Sequence, residues 1–318
     1  MNLWQNYVRP KNISEAMDAF ANAPRPLLPI AGGTDLLLDL EQGRHSPVHT
    51  LVDVTTIVEL TLLEQRRDEL FIGATVPVNR IVHDPLAVAH AQALTEACDL
   101  IAGPQVRNVA TLGGNVAHAL PAADGTIALL ALDVEVEIAS AGRVAAERRI
   151  ETRRIPFKEL FLGPGKSSLK HGEELIVGFY VPIKTSEFFA KHPKNRVEGA
   201  KNSEVSRVAS CFKRIMRPQG VALPILNCAV WLEREGGKIK DIRIAVGPGG
   251  GTPFRTMQAE DTLRGHPLNE TTFKSALEAL LVQAKFRTSA RRASADYRRH
   301  IVSGLFKDVI KTAWERAG

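Results

Sequence analysis

Apolar positions near the N-terminus follow first helical and then strand spacing, which predicts a small β-α-β unit. Asn12 is the predicted N-cap of the opening helix, and Glu15 occupies the position that completes a capping box. The apolar positions of that helix are Ala16, Met17 and Phe20, and Pro24 and Pro26 end it. The next predicted elements are a buried strand over 27–31, a helix carrying Leu36, Leu37, Leu38 and Leu40, and a strand over 51–54.

The middle of the chain continues to alternate strands and helices. Strands are predicted over 69–74, 134–138 and 175–181, with Ala141-Gly142 as the turn that follows the second of them. Pro85 begins a predicted helical stretch through Ala97 and Ile101, and an apolar helix is predicted from Asp124 to Leu132.

Beyond residue 207 the pattern becomes antiparallel. Strands are predicted over 211–216, 226–232 and 239–246, with Gly236-Gly237 as a hairpin turn. Helices are predicted from about 271 to 284 and around Ile301, Leu305 and Val309. The segment 184–207 is basic and poor in apolar residues. It is a candidate mobile loop at a domain boundary, although an ordinary solvated loop is the favoured interpretation.

Length and composition are those of an ordinary soluble globular protein. At 318 residues the chain is long for one hydrophobic core, so two or three domains are expected. No apolar run has the length of a signal-peptide core or a membrane span, so we expect a cytoplasmic protein without a membrane span. Cys98, Cys211 and Cys228 are isolated from one another, which indicates inert thiols and neither an iron–sulfur nor a zinc site.

The net charge of +6 leaves two kinds of partner open. Nucleic acid is one, but aromatic content is only 6% and no recognition motif accompanies the charge. A basic face that contacts an anionic cofactor or an acidic partner subunit fits the charge equally well. We place nucleic-acid binding last and expect none.

Two double-glycine loops carry the candidate chemistry. The first is Ile30-Ala31-Gly32-Gly33-Thr34-Asp35-Leu36, and the second is Thr111-Leu112-Gly113-Gly114-Asn115-Val116. A glycine pair lets the backbone approach a ligand that a Cβ would exclude, and successive N–H groups form a concavity suited to phosphate. Two such loops suit a diphosphate with an extended group on each side.

A third glycine-containing stretch, Gly163-Pro164-Gly165-Lys166-Ser167, ends like a P-loop. Leu160 stands where that motif requires a glycine, and no apolar helix follows. We interpret the stretch as a surface turn before the strand over 175–181.

The paired loops resemble those of the FAD-binding subunits of the molybdenum hydroxylases, the xanthine dehydrogenase, aldehyde oxidase and carbon monoxide dehydrogenase family. The shared motifs run through the chain in order. They are Ala31-Gly32-Gly33-Thr34-Asp35-Leu36, Arg107-Asn108-Val109-Ala110-Thr111-Leu112-Gly113-Gly114-Asn115, Pro121-Ala122-Ala123-Asp124, Gly172 to Ile176, Thr252 to Arg255, and Arg291 to Arg299.

The resemblance implies an α+β chain. It implies a two-part FAD-binding domain over 1–178, split near residue 55, and a smaller antiparallel-sheet-plus-helices domain over 179–318.

The resemblance also implies a set of cofactor-binding residues and no catalytic side chain. Gly32, Gly33 and Thr34 would meet the FAD diphosphate from one side, and Thr111, Gly114 and Asn115 from the other. Asp124 would accept a hydrogen bond from a sugar or ribitol hydroxyl. Ile176 would lie against the flavin ring, and Lys213 would lie near the polar edge of that ring. Ile101 stands where relatives have an aromatic residue near the flavin. Ile30, Ala31, Asp35, Leu36, Ala110, Gly113 and Ala119 complete the set.

Structural alternatives exist for several of these residues. Thr111 and Asn115 could cap a turn, and Asp124 could cap the helix that begins near Gly125. Lys213 could be a solvated lysine on an edge strand.

By resemblance, the chain carries FAD in a heteromeric molybdenum hydroxylase. It would take electrons from a small subunit with [2Fe-2S] clusters, beside a molybdopterin-binding large subunit, in a dimer of heterotrimers. It would pass them to NAD⁺, a quinone, oxygen or a protein. Two other functions remain open: a scaffold subunit that has lost flavin transfer, and a freestanding FAD oxidase.

Overall fold

The first layer of the fold is a three-stranded parallel sheet. The computed structural model describes residues 2–144, 147–183, 207–217, 223–290 and 292–318. The sheet contains β1 (Asn6–Val8), β2 (Leu27–Ile30) and β3 (Thr50–Asp53) in the order β1-β3-β2. Helices α1 (Ile13–Asn22) and α2 (Leu36–Glu41) connect the strands. The predicted β-α-β unit is confirmed.

Local chemistry explains where α1 begins. The Asn12 side chain accepts the Glu15 amide at 2.9 Å, and the Glu15 carboxylate accepts the Lys11 amide at 2.8 Å. The predicted cap is therefore present, with the glutamate reaching one residue further back than a standard capping box. The predicted apolar face, Ala16, Met17 and Phe20, is buried.

A five-stranded antiparallel sheet forms the second layer. In chain order its strands are β4 (Leu63–Arg66), β5 (Glu69–Gly73), β6 (Glu135–Val144), β7 (Glu147–Pro156) and β10 (Glu174–Pro182). Between β7 and β10 the chain forms a separate hairpin of β8 (Phe161–Gly163) and β9 (Lys166–Ser167). The spatial order is β4-β5-β10-β6-β7. Between β5 and β6 lie α3 (Val78–His83), α4 (Pro85–His90), α5 (Gln92–Asp99), α6 (Pro104–Arg107), α7 (Leu112–Ala117) and α8 (Asp124–Ala131).

Two predicted boundaries in this part of the chain are wrong. The helical stretch from Pro85 is two helices separated at Ala91, and the Ala93 amide donates to the Ser210 hydroxyl at 3.0 Å. The turn predicted at Ala141-Gly142 lies inside β6, where Ala141 pairs with Ile150 of β7. The strand continues past the residues whose apolar alternation revealed it, because main-chain pairing with β7 extends it.

The C-terminal part is an antiparallel sheet covered by helices, as predicted. Its strands are β11 (Arg207–Ile215), β12 (Leu226–Glu235), β13 (Lys238–Gly247) and β14 (Phe254–Arg255), paired in that order. Helices α10 (Glu270–Gln283) and α11 (Ala295–Arg316) match the two predicted ones, and the prediction missed α9 (Met257–Leu263). Apart from Arg207, the basic segment 184–207 lies outside the described residues.

The C-terminal sheet has two buried faces, and this positions the candidate site. One face, which includes Phe212, Ala229 and Trp231, joins the core of the N-terminal part. The other, which includes Cys211 and Cys228, packs in the core formed with the C-terminal helices. Neighbouring residues on β11 therefore face different cores, because successive side chains on a strand point to opposite sides.

Residue 178, the predicted domain boundary, lies within β10, which stays paired with β5 through Pro182. A boundary inside a paired strand would divide a continuous ladder, so we propose that the two domains meet just beyond Pro182. Within the described ranges, no helix is long and apolar enough to cross a membrane. The same ranges contain no cluster of three potential metal ligands among His, Cys, Asp and Glu.

Candidate functional site

The first glycine loop follows β2 and contains several amides that have no backbone acceptor among the described residues. The Ile30 carbonyl is held by the Val54 amide at 3.0 Å, and the Gly33 carbonyl accepts the Leu37 amide at 2.9 Å. Gly33 has a φ of +68°, a conformation that favours glycine. Across the described chain, the amides of Gly32, Gly33 and Thr34 donate to no backbone carbonyl. These are the unpaired N–H groups that an anion-binding concavity requires.

Gly32 brings the two loops into direct contact. A Cβ at this position would lie 2.1 Å from the carbonyl oxygen of Val109 and 2.9 Å from the Cα of Ala110. Only a residue without a side chain permits so close an approach of two backbones. The loops, distant in sequence, therefore form one cradle.

Hydrogen bonds to the Thr111 hydroxyl and the Ala74 carbonyl hold the second loop in place. Thr111 caps α7, and its hydroxyl accepts the Gly114 amide at 3.1 Å, which confirms the turn-capping alternative for this residue. The Gly113 amide donates to the Ala74 carbonyl at 2.8 Å, and a Cβ on Gly113 would lie 2.6 Å from that oxygen. Gly114 differs from Gly113, because a Cβ there would meet only the Thr111 hydroxyl within 4 Å. Gly113 is needed for packing, whereas Gly114 presents an open backbone surface.

The residues after the second loop contact both the first loop and the β8–β9 hairpin. His118 Nδ1 lies 3.7 Å from a carboxylate oxygen of Asp35 in the first loop. Ala119 has a φ of +53°, and its carbonyl accepts the amide of Gly165 at 3.0 Å. Gly165 is at the turn of the β8–β9 hairpin, so the P-loop-like stretch is the predicted turn and packs against the candidate site.

Arg107, the first residue of the second motif, supports the turn that carries Ile101. Its Nη1 donates to the carbonyls of Ile101 at 3.3 Å and Ala102 at 3.1 Å, and its Nη2 lies 3.4 Å from Asp99. Ala102 has a φ of +47°, so these bonds hold a strained turn in place. The Nε of Arg107 is buried and, within the described chain, lacks a partner.

Asp124 lies in a buried network that reaches the C-terminal domain. Its Oδ2 accepts Arg214 Nη1 at 2.5 Å, and its Oδ1 accepts Asn227 Nδ2 at 2.7 Å. Burial raises the pKa of the Asp124 carboxyl to about 6, and the contacts with Arg214 and Asn227 oppose that rise. The helix-cap alternative is wrong, because Ala123 is the N-cap and Asp124 is the first helical residue.

Lys213 is separated from the other candidate residues. Its ammonium lies 2.8 Å from the Asp308 carboxylate on α11, on the face of β11 opposite to Arg214. Ile176 is on β10, with only 4% of its surface exposed. The next carbonyl, that of Val177, accepts the Ala74 amide at 2.9 Å, so β10 is connected to the second loop through Ala74, whose carbonyl accepts the Gly113 amide.

The structure thus brings two groups of candidate residues together around the loops. They are the first-loop residues Ile30, Ala31, Gly32, Gly33, Thr34, Asp35 and Leu36, and the second-loop residues Ala110, Thr111, Gly113, Gly114, Asn115 and Ala119, with Asp124 beside them. Sequence reasoning missed Arg214 and Asn227. The arginine adjacent to Lys213 was the available signal, but only packing decides which of two neighbours faces the site.

The cradle fits a dinucleotide such as FAD. Unpaired amides and an open glycine backbone suit a diphosphate. A buried side-chain oxygen of Asn115 has no partner in the described part of the protein and suits a ligand hydroxyl or amine.

Two family models match the chain. Residues 3–184 match the FAD binding domain in molybdopterin dehydrogenase, and residues 210–313 match the CO dehydrogenase flavoprotein C-terminal domain. The predicted resemblance and fold class are confirmed.

Individual relatives are similar over nearly their whole length. A putative xanthine dehydrogenase FAD-binding subunit of Escherichia coli is 32% identical over 98% of this chain and 97% of its own. The nicotine 6-hydroxylase medium subunit of Paenarthrobacter nicotinovorans is 31% identical, with the same coverage of both chains. Among solved structures, a chain of carbon monoxide dehydrogenase from Hydrogenophaga pseudoflava has a TM-score of 0.83 at 24% identity, covering 99% of this chain and 98% of that one. That likeness concerns the fold.

Proposed function

The chain belongs to the FAD-binding subunits of the molybdopterin dehydrogenases, and from that premise we propose that it transfers electrons within a heteromeric molybdenum hydroxylase. It is an oxidoreductase component whose cofactor is FAD. In the proposed role it receives electrons from a [2Fe-2S] subunit and delivers them to an external acceptor. The observation that carries the proposal is the contact at Gly32, where two loops meet beside three amides that have no backbone acceptor in the described part of the chain.

The residues of the cradle have separate tasks in this proposal. The amides of Gly32, Gly33 and Thr34 bind the diphosphate, and the exposed backbone at Gly114 lets it approach. Asp124 accepts a hydrogen bond from a hydroxyl of the sugar or ribitol portion. Asn115 offers its unpaired side-chain oxygen as a further acceptor. Arg107 holds the Ile101 turn in place. No side chain needs to act as nucleophile or general base.

When bound, FAD supplies the redox chemistry, since it accepts and releases one or two electrons. The chain's own contribution is binding, orientation and electrostatics. The opposite charges of Asp124 and Arg214 cancel within the buried pair, so the pair adds little net charge to the cofactor's surroundings.

We also propose partner subunits. Several relatives are described as medium subunits or medium chains, including those of nicotine 6-hydroxylase and glyceraldehyde dehydrogenase. A medium chain implies a larger and a smaller companion. In this chain's case we assign molybdopterin to the large subunit and iron–sulfur clusters to the small one, in a dimer of heterotrimers.

Affinity purification of the tagged chain from its native host tests the proposal. We expect a yellow complex of three different chains that contains FAD, iron and molybdenum. Colourless protein within an otherwise intact complex would favour the scaffold alternative. Yellow protein that purifies alone and oxidises an organic substrate by itself would favour a freestanding oxidase.

A further inference from the structure

A buried ion pair joins α8 of the N-terminal domain to the C-terminal sheet. The side chains of Asp124 and Arg214 are 5% and 6% exposed, and Asn227 is fully buried. Arg214 donates to one carboxylate oxygen and Asn227 to the other. The C-terminal sheet therefore supplies a donor to each oxygen of an N-terminal carboxylate.

Unpaired polar atoms surround this pair. Within the residues that the structure describes, Arg214 Nε, Asn227 Oδ1 and Asn115 Oδ1 are buried without a hydrogen-bond partner. Asn115 is close to the pair, because a Cβ on Gly125 would lie 2.8 Å from its Oδ1. Buried polar atoms in folded proteins are normally hydrogen-bonded, so their concentration here indicates contacts with a ligand or ordered water.

We propose that Arg214 is a positioning residue of the FAD site, which holds Asp124 as an ionised acceptor for a cofactor hydroxyl. The inference rests on the proposed cofactor site and gives the C-terminal domain a part in it. An ionised carboxylate offers about four acceptor positions, and Arg214 and Asn227 occupy two. The remaining positions are available to the ligand.

Charge compensation explains why an arginine is needed. A buried carboxylate without a cation takes up a proton, and a protonated carboxyl has an O–H donor in place of part of its acceptor capacity. Among the described residues, Asp124 interacts with Arg214 on β11, with Arg292 just before α11, and with the Cys98 thiol on α5. Both arginines favour the charged form of Asp124. Burial raises the pKa of Cys98, so this thiol stays neutral and provides no compensation.

The pH dependence has a definite sign. Because burial raises the pKa of Asp124 to about 6, the acceptor is lost as the pH falls below that value. Removal of Arg214 removes a cation that opposes the rise, so the pKa must increase further. The loss of FAD binding then begins at a higher pH.

The test measures FAD affinity of the full-length apo chain by titration from about pH 5 to 9. Arg214→Met is compared with Arg243→Met, a matched control. Arg243 is also a buried arginine of the C-terminal sheet, 9% exposed, and its Nε lies 3.7 Å from the carboxylate of Asp133 in the N-terminal domain. Arg214→Lys keeps the charge. The double variant Asp124→Asn/Arg214→Met leaves no unpaired buried charge if the single variant fails to fold.

We expect Arg214→Met to weaken FAD binding at least about tenfold near neutral pH and to move the pH midpoint from near 6 to above 7, an effect of about 1.4 kcal/mol or more. Arg243→Met and Arg214→Lys should keep the wild-type midpoint, and the double variant should bind FAD independently of pH in this range. An unchanged midpoint in Arg214→Met, or an equal shift in Arg243→Met, would overturn the inference. Unchanged affinity in Asp124→Ala would overturn the cofactor-site assignment as well, whereas weakened Asp124→Ala with unaffected Arg214→Met would overturn only the role of Arg214.

Discussion

A methyl group at position 32 should disrupt the FAD cradle, because no space exists for it between the two glycine loops. The Cβ of a Gly32→Ala variant would lie 2.1 Å from the Val109 carbonyl oxygen, where ordinary contact begins at 3.4 Å. The obstacle is backbone, so a side-chain rotation cannot relieve it. The loops must separate by more than about 1 Å, which is enough to misalign hydrogen bonds to a ligand.

The magnitude follows from the amides that would move. Hydrogen bonds to a charged group contribute about 1.5–3 kcal/mol each, so the loss of two costs at least about 3 kcal/mol. This corresponds to FAD binding weakened at least about a hundredfold. Overpacking should in addition lower the free energy of unfolding by about 1–3 kcal/mol.

Flavin fluorescence quenching in the apo chain measures the affinity, and circular dichroism verifies that the variant is folded. Gly237→Ala is the control, since a Cβ there has no neighbour within 4 Å and the residue lacks a positive φ. It should bind FAD like the wild type. A folded Gly32→Ala protein with wild-type FAD affinity would refute the cradle.

Three further variants separate ligand contact from folding. Gly114→Val should keep the apo fold but lose FAD, because among the described residues a Cβ there meets only the Thr111 hydroxyl, at 3.1 Å, and the side chain fills the open surface of the loop; a yellow, stoichiometric variant would contradict this. Asp124→Ala should weaken FAD binding, measured by the same titration, through loss of an acceptor and of the partner for Arg214. Arg255→Met should lower the free energy of unfolding in urea by up to about 3–5 kcal/mol, while FAD affinity stays at the wild-type value. The fully buried carboxylate of Glu260 loses its hydrogen-bonded cation and, of the cations that the structure describes, keeps only Arg264, whose Nη2 is 3.9 Å away.

Elements whose signals are local could be predicted from the sequence. The start of α1 follows from Asn12 and Glu15, and its buried face follows from helical spacing of apolar residues. The glycine loops likewise could be located, since close backbone approach requires residues without side chains.

Elements held by distant contacts could not be predicted. The break between α4 and α5 coincides with a hydrogen bond from Ala93 to Ser210, a partner from the other domain. Strand β7 was missed because it is an edge strand whose charged residues, such as Arg153 and Arg154, conceal any apolar alternation. The guanidinium carbon of Arg154 instead lies over the Tyr180 ring, 3.2 Å from its centroid, on β10, two strands away in the sheet.

The choice between Lys213 and Arg214 shows the same limit at the site. Both are cations, adjacent on one strand, and a shift of one residue exchanges the two faces of a sheet. The sequence suggests a cation at this position of β11. Only the packing of β11 between two cores directs Arg214 to Asp124 and Lys213 to Asp308.

The central claim, electron transfer through this chain, is tested most directly in the purified complex under anaerobic conditions. A light-triggered reductant delivers electrons to the iron–sulfur subunit, and absorbance follows the clusters and the flavin separately. The account predicts that the clusters reoxidise at the rate at which the flavin is reduced, and that a complex carrying Gly114→Val keeps its clusters reduced. Clusters that reoxidise equally fast in the FAD-free variant, with wild-type flavin remaining oxidised, would contradict it.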